Sequence, residues 1–217
     1  MTIQEQLDAV SATGGGKVHV PAGDYRSQGR ILIPSNVELI GSGPACTTIK
    51  SVGTKQPTVT ADGRRYWIGI EGFCVYGDNG EGTDGYIGVD FRQVSTSYAR
   101  RLYIVGFKTG LLLSGAGCYY NLIDSVFTDC SVDGIELYNA ANQNTILNCK
   151  PSAPISIYIM DSNGTTIIGG SGEGTATQGN FIKQSGETTG TAVKGFRGES
   201  TNFGPVWCNA DNLSGNF

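Results

Sequence analysis

Similar short pieces recur along the chain at intervals of about 20–26 residues, and this recurrence restricts the fold more than any single motif. Gly106-Phe107, Val126-Phe127, Asn148-Cys149 and Gly169-Gly170 form one series, stepping by 20, 22 and 21 residues. Residues 110–113, 134–137, 155–158 and 181–183 form a second. Tyr98, Tyr119, Asn142 and Asn163 form a third, each just ahead of a strand pattern. The apolar alternations are short, as in Val18-His19-Val20, Ile31-Leu32-Ile33 and Val37-Glu38-Leu39, and Pro, Gly and Asn bound them. Strands of a sandwich usually run to about five or six residues. A single coil of this length cannot bury its apolar side, but coils stacked ~4.8 Å apart can, with like residues forming ladders. About eight coils would give a rod roughly 40 Å long.

Composition agrees. Of 217 residues, 33 are glycine, about twice the usual ~7% share. A helical bundle with that content would lose about 1 kcal/mol at each interior glycine, and the every-third-residue period of collagen is absent. The net charge is only −4 and no basic run occurs, so no nucleic-acid partner is expected. No apolar run approaches the ~20 residues of a membrane span, and the polar start is not a secretory signal. The expected fold class is all-β: a single-stranded right-handed parallel β-helix with an N-terminal capping α-helix, forming one domain over 1–217. Thr2 and Glu5 make a capping box, Ile3, Leu7 and Val10 share one face, and Gly14-Gly15-Gly16 ends the helix, which places it over 2–13. Such a helix would cover the exposed end of the first coil. Coils are expected over 17–203, with loops near 77–90 and 171–179. Residues 204–217 break the repeat and are expected to cap the last coil or touch a neighbour, with Trp207 and Phe217 buried.

Six cysteines fall at irregular spacings without a C-x-x-C pair, so they read as reduced, buried, small apolar side chains. The one histidine, His19, reads as a strand residue. Asn121, Asn142, Asn144 and Asn163 read as turn residues whose amides bond backbone or one another as ladders. Asn163-Gly164-Thr165 and Asn212-Leu213-Ser214 match the glycosylation pattern by coincidence.

The opening segment, Ile3-Gln4-Glu5-Gln6-Leu7 followed by Gly14-Gly15-Gly16-Lys17-Val18-His19-Val20-Pro21-Ala22-Gly23-Asp24-Tyr25, resembles the start of the pectate-lyase-like right-handed parallel β-helix superfamily. Residues 31–43 fit the following coils. The resemblance is specific over about residues 3–50 and diffuse beyond. It implies a fold shared by polysaccharide lyases and hydrolases, uronate epimerases and trimeric phage tailspikes, the last being closest in character. The acidic, glycine-rich segment frequent before the cap helix in that superfamily is not seen ahead of Met1-Thr2, so an N-terminal adaptor domain is not expected.

A lyase on this fold would need a base, with Arg100, Arg101, Lys108 and Lys150 as candidates, near clustered carboxylates such as Asp124, Asp129, Asp133 and Glu136. A hydrolase would need two carboxyls about 5–9.5 Å apart. Asp129 with Asp133, or Glu136 with Asp161, could meet across neighbouring coils. Tyr98, Tyr119, Tyr138, Tyr158 and Trp207 are candidates for glycan or subunit contact, because aromatic residues serve both. No cofactor or metal is expected. The reading favoured at this point is a non-catalytic homotrimer on a phage virion surface, a capsid decoration (cement) protein or a short tailspike-like part. It would be assembled in the host cytoplasm and bound to other virion proteins, with bacterial surface polysaccharide as a further candidate partner. The alternatives are a polysaccharide lyase or glycoside hydrolase, and a carbohydrate-binding module of a spike.

Overall fold

The computed structural model describes residues 1–52, 56–61, 63–77, 86–173, 180–199 and 207–208. The chain winds as a parallel β-solenoid of about seven turns. The first six turns each contribute a strand in sequence to three sheets, and in the last two the strands Ser171–Gly172 and Arg197–Gly198 pair separately in place of sheet B. Sheet A stacks Gly16–Val20, Val37–Gly41, Gly69–Glu71, Tyr98–Arg100, Leu122–Asp124, Thr145–Leu147, Thr166–Ile168 and Ala192–Lys194. Sheet B stacks Gly23–Ser27, Thr47–Ser51, Cys74–Tyr76, Tyr103–Val105, Phe127–Asp129 and Lys150–Ser152. Sheet C stacks Ile31–Leu32, Val59–Ala61, Ile87–Arg92, Thr109–Ser114, Asp133–Tyr138, Ile155–Met160, Asn180–Ser185 and Trp207–Cys208. Every pairing is in the parallel sense, so each apolar residue lies on its equivalent in the next coil.

The interior consists of these ladders. Leu111, Ile135, Ile157 and Ile182 stack in sheet C, which puts the second recurring series in phase to within one residue. In sheet A the buried column is Val18, Leu39, Ile70, Ala99, Ile123, Ile146, Ile167 and Val193. Its steps are 21, 31, 29, 24, 23, 21 and 26 residues, so the coils are unequal. That inequality slips a constant-period alignment. Tyr119, Asn142 and Asn163 do share a column, but Tyr98 pairs with Leu122 rather than lying over Tyr119. Tyr138 pairs with Met160, and Tyr158 with Glu136, so Tyr138 and Tyr158 do not stack. Gly106-Phe107 lies five residues past its true equivalents, Arg101-Leu102.

The helix Ile3–Ala12 has its capping box in both directions: the Glu5 N–H donates to Thr2 Oγ1 and the Thr2 N–H to Glu5 Oε2. Ile3 and Leu7 are buried against the first coil. Gln4 completes the cover: its Oε1 accepts the Leu32 N–H at 2.8 Å and its Nε2 donates to the Leu32 carbonyl at 3.1 Å. The unpaired edge of the first sheet C strand is thereby partly satisfied.

The corners explain the glycine excess only in part. At the corner from sheet C to sheet A, one equivalent position is left-handed in every coil: Asn36, Trp67, Thr96, Tyr120, Gln143, Gly164 and Gly190; several coils add a second or third left-handed residue, such as Gln93 or Asn139. The corner from A to B repeats the device with Gly72, Arg101, Ser125, Asn148, Gly169 and Gly195. Glycine is thus one occupant among several. At Gly170 it is obligatory, because a Cβ there would lie 2.2 Å from the Cys149 carbonyl oxygen.

Two asparagine ladders line the C-to-A corner. The inner one is buried: Asn144 Oδ1 accepts the Asn121 N–H and Nδ2, each at 3.0 Å, and Asn121 Oδ1 accepts the Ser97 N–H at 3.1 Å. The outer one is exposed, running from Asn142 Oδ1 to the Asn163 N–H and from Asn163 Oδ1 to Thr189. Cys74, Cys118, Cys130 and Cys149 are free and buried, as expected, whereas Cys46 is free but exposed. His19 is an exposed strand residue. Among the described residues, no helix is long and apolar enough to cross a membrane. Residues 78–85, 174–179 and 209–217, which carry most of the two expected loops, the terminal segment and Phe217, lie outside the described residues. So does the Trp207 side chain.

Candidate active site

Two carboxyls on sheet C lie on one side of a strand that ordinary alternation would place on opposite sides. Asp133 and Glu136 are three residues apart in Asp133–Tyr138. A Cβ on Gly134 would come 2.5 Å from Pro151 Cβ and 2.6 Å from the Ser156 carbonyl, so this position faces the interior. Ile135 is fully buried as well. Two consecutive residues therefore turn inward, and Asp133 and Glu136 end up together, away from the Ile135–Leu137 core. Thr109 pairs with Asp133, and Leu112 and Tyr158 flank Glu136 in the neighbouring coils.

These surroundings shift both acids. Burial raises Asp133 to about 6, opposed by the charge of Lys183. Burial, reinforced by the charge of Asp133, raises Glu136 to about 7, opposed by a hydrogen bond from Thr109. Asp133 Oδ1 is buried without a hydrogen-bond partner among the described residues. Near neutrality the two carboxyls therefore hold about one proton between them. Lys183 lies 5.0 Å from the Tyr158 ring centroid, and the Tyr158 hydroxyl shares a 2.9 Å hydrogen bond with Ser185.

A stability prediction follows from the sign of these shifts. Both folded values exceed the unfolded ones, so the favourable contribution is complete below about pH 4 and is lost as pH rises through 6–7. Asp133→Asn/Glu136→Gln is expected to be more stable than the parent at pH 8, by on the order of 1–2 kcal/mol after allowance for partial solvent access. The difference should vanish near pH 4, and urea titrations at the two pH values measure it.

The other candidates are placed apart. Asp129 is exposed on sheet B, aligned with Val105 and Ser152, and does not share a face with Asp133. Asp161 sits in a left-handed bend beyond Ile155–Met160, accepting the Glu187 N–H at 2.8 Å, while Glu136 is aligned with Tyr158. Three of the four basic candidates are engaged in ion pairs. Arg100 and Arg101 both bind Glu71, and Lys150 binds Glu173 at 2.7 Å and Glu199 at 3.4 Å. Burial alone would raise Glu71, but the two arginines outweigh it and hold its carboxyl below the usual value. Lys108 lies 5.7 Å from the Tyr86 ring centroid. Tyr98 crosses Gly69, where a Cβ would stand 2.5 Å from its ring, and donates to Glu38 at 2.9 Å. Burial and that hydrogen bond push it up to about 12. On sheet B, Tyr103 tilts against Phe127 with centroids 4.7 Å apart. Tyr138 is exposed at the end of its strand, and Tyr119 packs edge-on against Tyr120 at 5.3 Å. Among the described residues, no group of three or more His, Cys, Asp or Glu side chains could hold a metal ion.

No family model matches the chain. Two curated relatives of Azotobacter vinelandii match parts of it. Alginate lyase 7 is 32% identical over 131 residues, covering 55% of this chain and 13% of that protein. Mannuronan C5-epimerase AlgE1 is 43% identical over 65 residues, covering 27% of this chain and 5% of that protein. The chain thus spans a small fraction of the relatives it matches. Among solved structures, bacteriophage phi29 gene product 12 superposes with a TM-score of 0.70 at 18% identity, over 92% of this chain and 31% of that one. Carrot pectin methylesterase superposes at 0.69 and 13% identity, over 100% and 84%. The catalytic domain of a GH87 α-1,3-glucanase superposes at 0.64 and 12% identity, over 90% and 43%. The chain has a parallel β-helix fold, which these phage and carbohydrate-active proteins also have.

Proposed function

We propose that this chain is a β-helix module of a phage virion component that cleaves glycosidic bonds in a surface polysaccharide at Asp133 and Glu136. The observation that carries the reading is the carboxyl pair itself, with one member at about 6 and the other at about 7. Glycoside hydrolysis uses such a pair: a protonated carboxyl donates to the leaving oxygen, and an ionised one activates water or attacks the anomeric carbon. Glu136, which holds its proton to higher pH, is the acid. Asp133 is the base or nucleophile. The expected activity profile is a bell with limbs near 6 and 7. Reducing-end release from a panel of polysaccharides, followed from pH 4 to 9, tests it, and a rate that is flat across that range would overturn the assignment.

Similarity to phi29 gene product 12 supports the virion setting. Similarity to alginate lyase 7 favours a second reading, in which the substrate is a uronate and cleavage proceeds by elimination. Elimination leaves an unsaturated, ultraviolet-absorbing end, which hydrolysis does not, so the products separate the two. Homotrimeric assembly on the virion surface belongs to the same proposal. Tyr103 stacked on Phe127, with Tyr76 beside them in the column of Val105, supplies an apolar patch on sheet B for it. Light scattering should then give about three times the chain mass of 22.8 kDa, and Tyr103→Asp should lower it to that of one chain.

A further inference from the structure

The C-to-A corner carries a second feature that the carboxyl pair does not explain. Trp67 and Tyr120 occupy left-handed positions at φ 59°, where other coils use Asn, Gly, Thr or Gln. An L-residue other than Asn or Asp costs about 1–2 kcal/mol there, so Thr96 and Gln143 bear the cost as well. Both side chains also point into solvent, with Trp67 63% and Tyr120 60% exposed. Each ring thus keeps more than half of its surface in solvent at a position that glycine fills in two other coils, although Tyr120 also meets Tyr119 edge-on. Large aromatic surface left in solvent at a strained backbone position points to a ligand.

The neighbourhood indicates what the rings meet. Trp67 and Tyr120 are two coils apart, about 9.6 Å along the axis at ~4.8 Å per coil, with the small Thr96 between them. Beyond Tyr120 lies an open hollow of about 590 Å³, lined by Tyr119, Tyr120, Asn142, Gln143, Asn163 and Thr189 among others. Every residue lining it is uncharged. Exposed aromatic faces, followed by amides and a hydroxyl in a charge-free groove, match a ligand with apolar C–H faces and many hydroxyls.

We infer that this corner is a glycan-holding site for a neutral polysaccharide chain running parallel to the solenoid axis, stacked on Trp67 and Tyr120 and hydrogen-bonded by the Asn142–Gln143 and Asn163 turns. It uses none of the residues of the cleavage site, so the two assignments fail separately. A fibre held here would keep the protein on its polysaccharide between cleavage events.

Affinity electrophoresis of the full chain through gels containing neutral α-1,3-, α-1,6- or β-1,3-linked glucans, with a polyuronate gel as control, tests the site. At least one neutral glucan is expected to retard the parent, and Glu136→Gln is expected to be retarded equally. Trp67→Asn and Tyr120→Asn should each weaken retardation about tenfold or more. Asn tolerates the left-handed backbone, so both variants should unfold at the same or a higher urea concentration than the parent. Trp67 is also one of only two tryptophans, so glucan binding should change the intrinsic fluorescence in the parent and much less in Trp67→Asn. The inference is overturned if no neutral glucan retards the parent, if retardation survives both substitutions, or if only the polyuronate binds. It is also overturned if the Asn variants are less stable or change the assembly mass, because the rings would then serve folding or subunit contact.

Discussion

Glu136→Gln is expected to lower the rate of polysaccharide cleavage by about 10²–10⁴-fold, the usual contribution of a positioned general acid. Glutamine keeps the size of the side chain and its place between Leu112 and Tyr158, but it has no acidic proton to give to the leaving oxygen. Asp133→Asn should have a comparable effect from the other side of the reaction. The single substitutions also change the pH profile in distinct ways. Without Asp133, Glu136 loses a like-charged neighbour and its value falls, because that charge helps to raise it. Asp129→Asn acts as the control: Asp129 lies on sheet B and its loss should leave the rate unchanged. Reducing-end assays at pH 6.5 measure all three. Full activity in Glu136→Gln would remove the pair from catalysis.

Asn144→Leu is expected to destabilise the fold by about 2–5 kcal/mol, a large share of the ~5–15 kcal/mol typical of a domain. Asn144 is fully buried. Its Oδ1 accepts both the Asn121 N–H and the Asn121 Nδ2, and its own Nδ2 donates to the Cys118 carbonyl at 3.2 Å. Leucine fills a similar volume but leaves the Asn121 N–H and the Cys118 carbonyl without these partners. Each buried orphan costs about 1–3 kcal/mol. Asn121 Nδ2 keeps its bond to the Val94 carbonyl at 2.7 Å, which limits the damage. Asn163→Ala breaks the outer ladder instead. Water replaces the lost bonds there, so the expected effect is under about 1 kcal/mol. Urea denaturation should show a lower midpoint for Asn144→Leu at an unchanged slope. Equal effects of the two substitutions would contradict the distinction between a buried and a solvated ladder.

Much of the fold was legible because its signals are local or periodic. Thr2, Glu5, Ile3 and Leu7 mark the cap helix within a single turn. The stacked Leu111, Ile135, Ile157 and Ile182 repeat closely enough to align by eye. Register was less legible, because coil length changes at corners that carry no common residue. Trp67, Tyr120, Gln143 and Gly164 occupy the same left-handed corner position, and nothing in their chemistry announces the equivalence. Tyr98 therefore looked like a partner of Tyr119, although it reaches across Gly69 to Glu38.

The candidate site divides in the same way. Asp133 and Glu136 could be shortlisted from the sequence as carboxylates, but strand alternation separates residues three apart. The Gly134 kink brings them together, and its evidence is the close approach of Pro151 and Ser156 from other strands. The sequence by itself determined a stack of short coils with a helical lid, because periodicity and capping depend on neighbours along the chain. Which side chains meet, which are held in ion pairs and which carry shifted protons was decided only by the tertiary structure. Those properties depend on register between coils and on burial, and both are set by contacts across 20 to 30 residues of intervening chain.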